Sequence, residues 1–188
     1  MEPYARLTNP DGVLTEPDQV TVRRIGDMAA WYLDAGAACR LAAAGNPVVY
    51  EMREAASPAT VGELACCTTV MHPGMVGDEY FMTKGHFHVD PSCAEIYYAH
   101  SGCGVLLAEA ESGECRMVDM PKGAIVHVEP GWAHRTYNVG REPLVFLAVY
   151  PSVAGHDYGR IETHGFSHTV VRSERGPVLM KNPRHTPR

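Results

Sequence analysis

From Val48 to Tyr150 the chain is cut into short β-type runs by turn residues, and this texture most constrains its fold. The predicted strands are Val48–Met52, Gly62–Met71, Tyr80–His88, Glu95–Ala99, Gly104–Ala108, Cys115–Asp119, Ala124–Val128, Arg135–Val139 and Leu144–Tyr150. Turn signals such as Ser112-Gly113 and Gly140-Arg141-Glu142 separate them. Many short strands at near-regular spacing predict an antiparallel sandwich or barrel. Beyond an irregular Gly-rich stretch at Ala154–Gly159, residues Gly165–Arg172 and Val178–Met180 are expected to form a last hairpin across Ser173–Pro177.

Ahead of the strands, Val20-Thr21-Val22 reads as a short strand. Gly26–Ala44 reads as a helical segment, with Met28, Trp31, Tyr32 and Ala35 at helical spacing and abundant alanine. Gly36 is the expected point of division into two pieces, and Gly45-Asn46-Pro47 the expected end. Met28, Trp31 and Tyr32 are expected to pack this segment on the outside of a sheet. Residues Met1–Asp18, rich in breakers, are expected to wrap over the surface or over a neighbouring subunit, and Lys181–Arg188 to fray. The chain thus divides into an arm and helical segment (1–46), a barrel (47–182) and a tail (183–188), with no second domain.

At 188 residues, 45% hydrophobic and 20% charged, the composition is that of an ordinary globular protein large enough for a real core. A net charge of -6 argues against nucleic acid or an anionic membrane as the main partner, and no stretch is long and apolar enough to span a bilayer. Met1–Arg6 lacks the basic start and apolar run of a signal peptide. The cysteines form no Cys-x-x-Cys pair and are read as free thiols, so a cytoplasmic setting is expected. Cys93 and Cys103 are expected to be ordinary buried thiols.

Chemistry concentrates at Gly85-His86-Phe87-His88 and Glu95-Ile96-Tyr97. In an extended strand His86 and His88 share a face. The turn formers of Val89–Ala94 let Glu95 return a carboxylate toward them, with Tyr97 on the same face as Glu95. Two histidines and a carboxylate are a ligand set for a divalent transition metal, and His134 is a candidate further ligand. His72, His100, His127, His164, His168 and His185 have no such spacing and are read as structural or surface residues.

These residues carry a resemblance. His86-x-His88, Glu95 and Gly102, followed by Gly123, His134 and Asn138, resemble the two conserved motifs of the cupin superfamily. The gap from His88 to Glu95 is longer than usual there, and Pro130-Gly131 are adjacent where a residue normally intervenes. Trp132-Ala133-His134-Arg135-Thr136, Glu142-Pro143-Leu144, Phe146-Leu147-Ala148, Tyr150-Pro151 and Ala154-Gly155-His156-Asp157-Tyr158-Gly159 further resemble the cupin-type glucose-6-phosphate isomerases. This similarity runs from about Tyr50 to Asn182. It implies a mainly β, single-domain cupin (double-stranded β-helix or jelly-roll barrel) with an N-terminal helical segment. It also implies one divalent metal per subunit on His86, His88, Glu95 and His134, with Fe(II) favoured and Mn(II), Ni(II) or Zn(II) chemically suitable.

By the same resemblance the chain is an aldose–ketose isomerase of glycolysis and gluconeogenesis interconverting glucose 6-phosphate and fructose 6-phosphate. Glu95 is then placed nearest C1 and C2, as base or as metal-held positioner, with a metal-assisted hydride shift as the competing route. Tyr97 and His156 would hydrogen-bond the sugar oxygens, His156 being the candidate for ring opening, and Tyr150 joins the catalytic group. The phosphate is assigned to Thr69, Thr83, Gly85 and Tyr150, with Tyr50 nearby and Tyr158 at the substrate. On one regular strand Thr83 and His86 would face opposite ways, so a bulge near Gly85 is required. Arg135 is expected to face away from the site. The alternatives are a cupin dioxygenase with the same ligands and a non-catalytic sugar-binding cupin. A homodimer is expected by analogy with the fold.

Overall fold

Alternation along the predicted runs produces strands in nearly every place it was expected, and the computed structural model describes residues 5–186. What was read for Met1–Tyr4 and for Pro187 and Arg188 lies outside the described residues. In chain order the elements are β1 (Gln19–Arg24), α1 (Ile25–Met28), a 3-10 turn (Ala29–Trp31), α2 (Ala35–Ala43), β2 (Val48–Ala55), β3 (Leu64–Met71), β4 (Met75–Val76) and β5 (Glu79–Tyr80). There follow β6 (Glu95–Ser101), β7 (Cys103–Ala110), β8 (Cys115–Pro121), β9 (Ile125–Val128), β10 (Trp132–Asn138), β11 (Leu144–Pro151), α3 (Gly159–His164), β12 (His168–Ser173) and β13 (Gly176–Lys181).

The strands form a six-stranded antiparallel sheet in the order β1-β2-β3-β11-β6-β9, a three-stranded sheet β10-β7-β8 and a four-stranded sheet β13-β12-β5-β4. The segment after β5 ties the last two together. Met82 bridges Tyr137, and His86 bridges His134, so the chain from 82 to 86 lies along β10. The six-stranded sheet faces this second layer across one hydrophobic core that includes Met71, Tyr97, Phe146, Tyr137 and Phe166. The ladders do not close into a continuous barrel. The result is a mainly β, layered antiparallel fold with a helical N-terminal segment.

Period-2 alternation decides what faces inward. Tyr50, Met52 and Glu54 of β2, Cys67 and Thr69 of β3, Glu95 and Tyr97 of β6, and Phe146, Ala148 and Tyr150 of β11 all line a cavity between the layers. The register aligns them in rows: Thr69 pairs with both Met52 and Phe146, and Ala148 with both Cys67 and Tyr97. β1 joins as the edge strand, with Arg23 opposite Tyr50.

Four local readings need correction. The helical segment breaks at Tyr32–Asp34, not at Gly36. Tyr32 leaves the helix in extended conformation with its ring fully buried, and Asp34 then caps α2 by accepting from Ala37 N–H at 2.7 Å. Gly36 lies inside α2. The expected strand Tyr80–His88 stops at Tyr80 and continues only as isolated bridges at Met82, His86 and Phe87, with Gly85 at φ 73 turning the chain between Met82 and His86. Cys103 is exposed, at the start of β7 just past the Gly102 turn, whereas Cys93 is buried as expected. The short helix α3, ended by Gly165 at φ 69, starts at the last residue of the stretch read as irregular and covers residues 160–164, for which no element was predicted.

Residues 5–18 cross the outer face of the chain's own six-stranded sheet. Leu14 N–H donates to Thr68 Oγ1 at 3.0 Å, and His100 Nε2 lies 3.1 Å from the Pro10 carbonyl. The C-terminal hairpin β12–β13 forms as expected, pairing Thr169 with Met180 and Val171 with Val178.

Candidate metal centre and substrate cavity

The paired chain at 86 and 134 brings the histidines together. His86 N–H donates to the His134 carbonyl at 3.2 Å, and His134 N–H returns the bond at 3.1 Å. Phe87 and Asp157 exchange a similar pair, which holds the loop carrying His156 against the same segment. Glu95, the first residue of β6, enters from the opposite sheet.

One ligand atom each from His86, His88, Glu95 and His134 lie within 4.8 Å of one another. His88 Nε2 is 3.1 Å and His134 Nε2 3.0 Å from the same oxygen, Glu95 Oε2. The tautomers are fixed from behind: His88 Nδ1–H donates to the Cys93 carbonyl at 2.9 Å, and His134 Nδ1 lies 3.3 Å from the Trp132 carbonyl. That leaves the Nε2 lone pairs pointing inward. His86 Nε2 is buried without a hydrogen-bond partner, and His134 Nε2, though 3.0 Å from Glu95 Oε2, makes no well-aligned hydrogen bond. Leaving such atoms unpaired costs roughly 1–3 kcal/mol each, a cost a cation among them removes. The donor set and its orphaned nitrogens therefore fit a divalent ion.

The electrostatics agree. Burial pushes against ionisation of Glu95, but His134 and His88 outweigh it and hold the carboxyl well below its usual range. Burial, with His134 and His156 adjoining, keeps His86 well below its ordinary value. For His88, burial lowers the value, yet hydrogen bonding to Glu95 and to the Cys93 carbonyl leaves it raised.

The cavity opening from this cluster has a volume of about 410 Å³. Of the sequence-selected residues, Tyr50, Thr69, Thr83, Gly85, His86, Glu95, Tyr97, His134, Tyr150, His156 and Tyr158 all line it. His88 stands behind, buried and off the cavity surface. The His156 ring meets His86 edge-on with centroids 4.4 Å apart, lies 5.6 Å from Tyr150 and stacks on Tyr158 at 5.9 Å. Burial raises the phenols of Tyr97 and Tyr150 far above the usual tyrosine range and Tyr158 to about 12, so all three are proton donors near neutrality. Burial lowers His156.

The left-handed Gly85 solves the facing problem, for Thr83 and His86 both reach the cavity. No larger residue fits there: a Cβ on Gly85 would fall 2.7 Å from Phe166 Cε2 and 2.9 Å from the His134 carbonyl oxygen. Thr83 Oγ1 accepts from Thr136 N–H at 3.0 Å, which leaves its hydroxyl proton free to donate. Arg135 faces away, as expected, into a neighbouring cavity lined by Trp31, Glu79 and Phe166.

Sequence reading missed Arg23, Glu54, Cys67, Thr136 and Glu162, which also line the cavity. Alternation in Val20-Thr21-Val22 was visible, but nothing local says which strand β1 pairs with, and so which of its faces is inward.

Comparison with known proteins completes the picture. The family profile described as glucose-6-phosphate isomerase (GPI) matches residues 22–188. The glucose-6-phosphate isomerase of Thermococcus litoralis is 44% identical over 184 residues, spanning 97% of this chain and 96% of that protein. That of Pyrococcus furiosus is 40% identical over 183 residues, 97% of each. A putative glucose-6-phosphate isomerase 2 from Rhizobium meliloti is 41% identical over 151 residues, 80% of this chain and 76% of that one. Among solved structures, Lactobacillus farciminis oxalate decarboxylase superposes with a TM-score of 0.47 at 19% identity, over 58% of this chain and 30% of that one. With a profile match over nearly the whole length and relatives at 40–44% identity across it, the chain belongs to the glucose-6-phosphate isomerase family.

Proposed function

We propose that this isomerase interconverts glucose 6-phosphate and fructose 6-phosphate in a metal-dependent reaction, with one divalent ion per subunit held by His86, His88, Glu95 and His134. Fe(II) is favoured by the family resemblance, and Mn(II), Ni(II) and Zn(II) suit the same donors. The observation that carries the reading is the position of this ligand cluster at one end of a cavity whose walls also present threonine and tyrosine hydroxyls. A volume of about 410 Å³ falls within the usual range for small-molecule sites.

When bound, the ion supplies Lewis-acid polarisation of the oxygens on C1 and C2. The chain's own groups do the rest. Both imidazole contacts to Glu95 fall on Oε2, leaving Oε1 to accept the C2 proton of the open-chain aldose and return it to C1. Tyr97 and His156 hydrogen-bond the two oxygens between which charge moves; neutral His156 takes the O2 hydroxyl proton and delivers it to O1, while the Tyr97 phenol stays protonated throughout. A neutral His156 takes the anomeric hydroxyl proton as the ring opens and passes it to the departing ring oxygen, which leaves the imidazole neutral again, with Tyr150 beside it. Thr69, Thr83, the Gly85 amide and Tyr50 receive the phosphate, and Tyr158 walls the sugar.

A cytoplasmic, glycolytic or gluconeogenic setting and a homodimer complete the proposal. Ile96, Tyr98 and Ile125, all exposed on β6 and β9, offer an apolar face for pairing. The test is a coupled assay: fructose 6-phosphate supplied, glucose 6-phosphate detected by a dehydrogenase, using chelator-stripped protein reloaded with each metal in turn. Activity is expected to vanish on stripping and return with one of the metals. Absence of turnover in protein shown to hold a metal would overturn the reading.

A further inference from the structure

The edge strand β1 brings a cation into the cavity that the assignments above leave without a role. Alternation sends Thr21 and Arg23 inward and leaves Val20 and Val22 exposed, while the register sets Arg23 directly across from Tyr50. Arg23 lines the cavity, and its Nε is buried with no hydrogen-bond partner.

The charge balance makes this position matter. Glu54, Glu95 and Glu162 share the cavity, and a phosphate monoester adds a charge of about −1.5 to −2 near pH 7. Glu95 is matched by its histidines. The cations lining the cavity are Arg23 and Lys84, and the Lys84 ammonium is drawn off to sit 5.1 Å over the Trp31 ring, which belongs to the neighbouring cavity. Arg23 is left as the cation able to meet the phosphate, and a guanidinium presents the forked donors that phosphate oxygens accept best.

We infer that Arg23 is a substrate-binding residue that seats the phosphate beside Tyr50 and the Gly85 amide, and so makes the cavity select phosphorylated over neutral sugars. This rests on the isomerase reading above. The test uses full-length, metal-loaded protein and the variants Arg23→Gln and Arg23→Lys. Steady-state kinetics with fructose 6-phosphate is paired with calorimetric titration of inorganic phosphate, which needs no turnover.

The expected result for Arg23→Gln is a KM raised about 10- to 100-fold, a phosphate Kd weakened in parallel and a kcat within about threefold. Arg23→Lys should fall between, with metal content unchanged in both. An unchanged KM and phosphate affinity in the variants overturns the inference while leaving the isomerase reading intact, as does a loss confined to kcat. A wild-type protein that binds phosphate through Arg23 but turns nothing over overturns the isomerase reading alone. Should Arg23→Gln fail to fold, the Arg23→Lys comparison decides, because it keeps the charge and removes the fork.

Discussion

Arg135 Nε and Nη2 both donate to one acceptor, the carbonyl oxygen of Lys84, at 3.1 and 2.6 Å. In a trans peptide the C=O and the following N–H point in opposite directions. Pulling the Lys84 carbonyl toward Arg135 therefore turns the Gly85 N–H toward the substrate cavity, on the other side of the chain. Arg135 is itself held between aromatic rings, 5.7 Å from Trp31 and 4.6 Å from Phe166. Replacing Arg135 with Gln is expected to raise KM for fructose 6-phosphate about tenfold, with kcat and bound metal nearly unchanged. Kinetics and metal analysis on one preparation check this, since a general loss of fold would lower all three together.

Metal occupancy should be visible in stability. An ion at 100 times its dissociation constant stabilises the fold by about 2.7 kcal/mol, which for a chain of this size raises Tm by roughly 5–10 °C. Chelator-stripped protein is expected to melt lower by that amount and to recover when metal is restored. His134→Ala should show neither the loss nor the recovery, and less than one bound metal per chain by elemental analysis.

Asn138 belongs to the second sequence motif, yet its work is structural. Fully buried, its Nδ2 donates to the carbonyls of Met71 and Glu142 at 2.9 Å each, and its Oδ1 accepts from Gly140 N–H at 2.9 Å. It ties the turn after β10 to the end of β3. Asn138→Ala strands three backbone groups and is expected to cost about 2–4 kcal/mol in urea denaturation. Metal binding by the folded fraction should be retained.

Glu79 gives the stability a pH dependence of definite sign. It is buried and accepts from Thr169 Oγ1 at 2.7 Å and from Leu33 N–H. Burial raises its carboxyl above the ordinary 4.5, against the partial relief of those bonds. The folded state therefore holds the proton more tightly than the unfolded chain does. That contribution is complete below the ordinary carboxylate value and is lost as pH rises through the raised one. The Tm of wild type minus that of Glu79→Gln is expected to fall as pH rises above the ordinary carboxylate value. A difference that grows with pH would contradict the assignment.

His86, His88 and Glu95 were legible because their signal is local: a two-residue spacing, a turn and a returning carboxylate need no knowledge of distant chain, whereas His134 was found only through the second motif of the resemblance. The faces of β11 were legible for the same reason, since period-2 alternation places Phe146, Ala148 and Tyr150 together without reference to a partner. Where the reading failed, distant contacts decided the outcome. Tyr32 leaves its helix because its ring is buried in the core and Glu79, far along the chain, takes the next N–H. Arg23 entered the cavity through a pairing with Tyr50 that the sequence around either residue does not announce. Likewise α3 has six residues, too few for a helical period to show against its glycine-rich surroundings.

The bridge between His86 and His134, and that between Phe87 and Asp157, join segments far apart along the chain. Each closes a long loop, whose entropy is lost before the contact repays it. In a refolding chain these closures arrive late, so the appearance of turnover dates the completion of the entire molecule. Recovered activity is in that sense a clock for global assembly, and a fragment missing either partner of a bridge can keep its strands yet never acquire the chemistry.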